Sequence, residues 1–190
     1  QALSGLGHPA DIEKIRQAAI DAAHLEAFTR APEDVSLRRL VSFGLSGQLK
    51  TNFEQIFSAP FLVELLLAEL AAQPEHDTFI RLHFDGSFQL QNGGIIICAS
   101  QSEIEGAAQK WLHENLKEKS DRKIVADFLL QIWWCVTQSK PLGEAIPGQA
   151  ERQTGWREET KTKVIEIGWL DRNARRLACY ETLTAAQLGL

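Results

Sequence analysis

Methionine is absent from the chain, tyrosine occurs once and cysteine three times. With Gln1 in first position and no initiator methionine, the chain reads as a fragment or a processed product. Cys98, Cys135 and Cys179 are far apart and odd in number, and no Cys-x-x-Cys occurs. A disulfide framework and a structural zinc site are therefore not expected, and buried thiols in apolar surroundings are. No Asn-x-Ser/Thr acceptor is present, and the first residues lack the basic-then-apolar order of a secretory signal. The richest apolar run, residues 61–72, is too short for a bilayer and carries Glu64 and Glu69. The expectation is a cytoplasmic protein with no membrane partner.

The motifs of the common chemistries are missing as well. There is no phosphate loop, no Gly-x-Gly-x-x-Gly turn and no His-Glu-x-x-His, since His113-Glu114 stands alone. Gly44-Leu45-Ser46-Gly47 lacks one residue of a nucleophile elbow and follows a helical pattern rather than a strand. No cofactor and no metal site is expected. The formal net charge of −5 argues against general attraction to nucleic acid.

What is present suits a packed core. Of 190 residues, 44% are hydrophobic and 24% charged, ordinary proportions for one domain of this length. The pattern suggests a single domain over 1–190, with a helical segment at 1–75 and an antiparallel sheet with a helical hairpin at 76–190. Ile12, Ile15, Ala19 and Ala22 recur at helical spacing over 9–30, with Pro9 in the first turn and Leu25 and Phe28 widening the stripe. A second helix at 35–43 follows Asp34 as cap and is broken by Gly44 and Gly47. Asn52 and Gln55 resemble a capping box for a short helix to 57. Residues 61–73 are apolar on every side, which predicts a buried helix.

After Pro74 the period changes to two. Ile80, Leu82 and Phe84 share a face, Asp85-Gly86 signals a hairpin, and Phe88 and Leu90 continue on the return strand. Residues 95–99 read as a third strand. Ser102 with Glu105 caps a helix carrying Ile104, Ala108, Trp111, Leu112 and Leu116, and Ser120 or Asp121 caps a second one from Ile124 to Val136. Residues 139–160 read as a long loop. A strand at 164–170 and its partner at 174–181 are preferred over a helix from 171 to 180.

Three constellations invite function. His83 and Asp85, two apart near a hairpin end and helped by Arg81, His76 and Asp77, could form a catalytic His/Asp pair. The plainer account makes them the polar face of an edge hairpin, with Asp85 serving turn geometry. Arg172, Arg175 and Arg176 lie between Trp169 and Tyr180 near Lys161 and Lys163, a small patch for phosphate or bases. Its plainer account is a solvated turn whose arginines pair with Glu158, Glu159 and Glu166. Five tryptophans include the adjacent Trp133 and Trp134 and the loop residue Trp156 beside Arg157. Trp134 and Trp156 resemble interface anchors, unless the loop folds over the helix and buries both.

Taken together, the sequence predicts an α+β fold: N-terminal helices, a largely antiparallel sheet of about five strands, and a two-helix layer packed on one face. The function expected is a non-catalytic interaction or regulatory module, binding a protein partner or a second copy through the long loop, Trp134, Trp156 and Arg157. The alternative is a small metal-dependent hydrolase or nuclease-like enzyme using His83 and Asp85.

Overall fold

The computed structural model describes residues 1–31, 35–91, 93–97, 102–116, 121–138, 147–174 and 179–189. The fold is α+β, and the chain divides into two compact units, Gln1–Ile97 and Cys98–Leu190. Among the described residues no helix is long and apolar enough to cross a membrane.

In the first unit, strand β1 (Ala2–Leu6) leads into helix α1 (Pro9–Thr29). The His8 imidazole caps α1 by accepting from the Ala10 N–H at 3.2 Å, and Pro9 starts the helix where no N–H is needed. Ile15 and Ala19 are buried, but Leu25 and Phe28 point to water at 64% and 89% exposure instead of widening the buried stripe. Asp34 lies outside the described residues. Ser36 is the cap that forms, its Oγ accepting from the Arg39 N–H.

From Ser36 the backbone stays helical through α2 (Leu37–Arg39), a π-helical turn (Leu40–Leu45) and α3 (Ser46–Phe53). Gly44 and Gly47 do not break it. Burial of Leu37, Leu40, Val41, Leu45 and Leu49 outweighs the modest helix penalty of each glycine. Asn52 does not cap a helix either; its Oδ1 accepts from the Phe61 N–H at 2.8 Å.

Residues 61–73, expected as a helix, contain strand β2 (Glu64–Glu69). It pairs antiparallel with β1 on one side and with β3 (Thr78–His83) on the other, and β4 (Phe88–Gln91) completes the order β1-β2-β3-β4. In β2 only Leu65 and Leu67 are fully buried, but Leu66 and Ala68 on the partly covered opposite face are apolar too, so the sequence loses the alternation that marks a strand. Leu65, Leu67, Ile80 and Leu82 are fully buried against α1 and the Leu37–Leu49 helices. Glu64, Leu66, Arg81 and His83 occupy the opposite face. The β3–β4 hairpin turns at Asp85-Gly86, as the sequence indicates, with Gly86 at φ +82°. The strand expected at 95–99 is not formed over 94–97, and residues 98 and 99 lie outside the described set.

The second unit holds α4 (Ser102–Asn115), α5 (Arg122–Thr137) and α6 (Gln149–Glu159), then a separate hairpin of β5 (Ile167–Leu170) and β6 (Tyr180–Leu183). Asp121 caps α5 with Oδ1 on the Lys123 and Ile124 N–H groups at 2.9 and 3.1 Å. Trp111 of α4 meets Phe128 of α5 at 5.1 Å between ring centres. The strand pair near the end of the chain forms in place of the competing helix, with Leu170 opposite Tyr180. Cys135 is buried, whereas Cys179 is exposed, contrary to the apolar setting its neighbours suggest.

The long loop expected at 139–160 is corrected by α6. That helix buries only Trp156, so it carries no apolar stripe for a periodicity argument to find.

Gly86 is needed for more than its positive φ, because a Cβ there would overlap the Ser46 carbonyl oxygen of α3. Gly86→Ala should destabilise the chain by about 1–3 kcal/mol. Gly47→Ala faces open space within a helix and should stabilise by ~0.5–1 kcal/mol. Urea midpoints of the two variants, moving in opposite directions, check the account; a shared direction would refute it.

Candidate functional site

His83 ends β3 on the sheet face opposite the apolar core. The carboxylate beside it belongs to Glu64 on the neighbouring strand, with Oε1 3.2 Å from His83 Nδ1. Glu64 is also held by the Arg81 guanidinium. Asp85 turns to its own hairpin, accepting from the Ser87 N–H at 2.9 Å and the Ser87 hydroxyl at 2.6 Å. Those two bonds, the hydroxyl first, hold its carboxyl below the ordinary range, with a smaller contribution from the charge of His83. So the His83/Asp85 pair is not formed as a hydrogen-bonded dyad. The register of the sheet gives the histidine a cross-strand partner, and the turn takes the aspartate.

The nearby residues do not extend this pair into a metal site. Asp77 accepts from the Ala71 N–H, and His76 lies in a short 3₁₀ turn. Among the described residues no cluster of three or more His, Cys, Asp or Glu side chains could hold a metal ion.

Trp134 and Trp156 come together, but inside the second unit. Their exposures are 7% and 2%, and a Cβ on Gly155 would overlap the Trp134 indole. Neither can serve as a solvent-facing anchor, because α6 folds over α5 and buries both. Arg157 stacks on Trp156 at 4.9 Å and approaches Asp127 to 3.8 Å. Arg172 lies in the turn after β5, while Arg175 and Arg176 fall outside the described residues. Glu158 and Glu159, which the plainer account of that patch pairs with its arginines, are instead paired with Lys161 and Lys163. Trp169 is stacked by Arg122 at 4.8 Å.

A polar hub of the second unit was not singled out by the sequence. Asp127 on α5 accepts from Gln131 Nε2 at 2.6 Å, Trp156 Nε1 at 3.2 Å and Gln153 Nε2 at 3.3 Å. Gln131, 4% exposed, in turn accepts from Arg152 Nε at 2.9 Å. The sequence signal was the one acid, Asp127, within the apolar stretch 124–136, four residues before a glutamine. Its partners come from α6, which sequence periodicity does not show.

Asp127→Ala should cost about 2–4 kcal/mol in chemical denaturation, because it leaves the Trp156 indole N–H and the Gln131 amide buried without their acceptor. Asp127→Asn, keeping one acceptor oxygen, should lose less; equal losses would count against the hub. For Asp85, the lowered carboxyl contributes stability above the ordinary carboxylate range. That contribution disappears as pH falls through the lowered value. Carboxyl-carbon NMR should show Ser87→Ala raising the Asp85 midpoint, and an unmoved midpoint would rule out Ser87 as the cause.

No family model matches the chain. It is similar to several curated proteins named proteasome subunit alpha. The subunit of Streptomyces griseus subsp. griseus is 30% identical over 179 residues, covering 94% of this chain and 58% of the relative. That of Streptomyces coelicolor is 22% identical over 179 residues, covering 94% and 62%. That of Paenarthrobacter aurescens is 32% identical over 106 residues, covering 54% and 43%. The chain thus spans roughly two fifths to three fifths of the length of these relatives. Similarity to proteasome subunits overturns both functions expected from the sequence, the generic interaction or regulatory module and the metal-dependent hydrolase, and burial of Trp134 and Trp156 removes the tryptophan surface on which the first relied.

Proposed function

We propose that this chain is part of an alpha-type proteasome subunit, working in the cytoplasm as one protein component of a multi-subunit proteolytic assembly. The observation that carries this reading is the alignment with the Streptomyces griseus subunit, which runs through 94% of the chain and so includes both units. The surface of the first unit supports it. Phe43, Ile56 and Phe57 are 81%, 89% and 101% exposed, in or just beyond the helices on the Leu37–Phe53 stretch. Large apolar side chains held in water at this density suit a face that another protein covers in an assembly.

The test is sedimentation velocity with native mass spectrometry on the purified chain, alone and mixed with the Streptomyces griseus subunit. Particles of several copies or mixed particles are expected, well above the 21.2 kDa of one chain. Phe57→Ser, at a fully exposed position, should change stability by less than about 0.5 kcal/mol. It should weaken association by roughly tenfold, since a buried aromatic contact at an interface carries about 1–2 kcal/mol or more. A chain that stays monomeric in both samples would overturn the proposal.

A further inference from the structure

The second unit contains a cleft whose chemistry the assembly reading does not use. It lies between α4, α5 and α6 and has a volume of about 370 Å³, within the size range of small-molecule sites. One wall is apolar: Trp111 and Phe128, in ring contact, and the half-exposed Ile124. The other wall carries Arg152.

Arg152 is held by neutral acceptors. Its Nε donates to Gln131 Oε1 at 2.9 Å, its Nη1 donates to the Pro147 carbonyl, and the guanidinium lies 5.1 Å from the Trp111 ring centre. Among the described residues no carboxylate stands within ion-pair distance of it. An arginine has five N–H donors, so about three remain for a ligand. The one carboxylate that also lines the cleft, Asp127, has its charge drawn inward by Gln131, Gln153 and Trp156 and by the nearby Arg157. Through Gln131 the same aspartate fixes the guanidinium in place. The result is an immobilised, partly desolvated cation facing an aromatic and aliphatic wall. Anions gain most from such a donor set, and a planar or short apolar body would fill the rest.

We propose that this cleft binds a small organic carboxylate, with the carboxylate on Arg152 and the apolar body against Trp111, Ile124 and Phe128. The amides of Asn115 and Gln149 at the rim are placed to contact polar atoms of the ligand. The site lies wholly within the second unit and does not depend on the assembly proposed above.

Phenylacetate serves as the probe, followed by the indole N–H signals of the full chain in two-dimensional NMR, with Trp111 assigned by Trp111→Phe. A saturable shift of the Trp111 signal is expected. Phenylacetamide, which has the same shape without the charge, should bind about tenfold more weakly, the loss of one charge-assisted contact. Arg152→Gln should lose a similar factor, and Lys161→Gln, which removes a surface charge paired with Glu158 outside the cleft, should not. Because Arg152→Gln could disturb the Gln131 network, Gln149→Glu provides a second variant. It places a negative charge at the exposed rim and should weaken phenylacetate while leaving the rest of the spectrum unchanged. Equal binding of the amide, no saturable shift, or full displacement by an equal concentration of inorganic phosphate would overturn the proposal.

Discussion

The backbone of Glu64–Glu69 needs hydrogen-bond partners on both sides, and the first unit is organised by meeting that need. Buried peptide groups left unpaired are costly, so β2 draws β1 to one edge and β3 to the other. Once the register is set, Leu65 and Leu67 face Ile80 and Leu82 across one layer, and α1 and the Leu37–Phe53 helices close over them. The same register puts Glu64 beside His83 and Arg81 on the other face. What looked like a histidine paired along its own strand is a histidine paired across strands. The turn at Gly86 is tied to α3 as well, through the Ser46 hydroxyl donating to the Gly86 carbonyl at 2.6 Å.

In the second unit a polar group takes the organising part. A carboxylate in a largely apolar helix is tolerated only when its oxygens are satisfied, and Asp127 achieves this by recruiting Gln153 and Trp156 from α6. α6 has little apolar surface of its own, so one buried tryptophan, this hub and the Gln131–Arg152 bond hold it against α5. Burial of Trp134 and Trp156 follows directly. Their place in the sequence reflects packing between two helices, and the large apolar side chains left exposed lie instead in the first unit at Phe43, Ile56 and Phe57.

These two arrangements bear on function in different ways. Similarity to alpha-type proteasome subunits extends through both units but reaches about three fifths of a relative's length at most. The Arg152 cleft is a separate matter. It depends on α6 being folded, and so on the hub at Asp127.

Much of the local structure was legible in the sequence: the Pro9 helix, the Asp85-Gly86 hairpin, the Asp121 cap, the two helices either side of it and the strand pair near the end of the chain. Each is encoded within a few residues, in a cap, a turn dipeptide or a clear period. The exceptions are those without a clear period, since β2 reads as a helix because Leu66 and Ala68 make its partly exposed face apolar as well, and α6 reads as a loop because its single buried residue sets no period. Glycines at 44 and 47 look like breaks until the burial of Leu45 and Leu49 is counted. The candidate site was less legible for the same reason. Which carboxylate stands beside His83, and which donors gather on Asp127, are set by strand register and by the meeting of distant helices, and only the tertiary structure supplies those contacts.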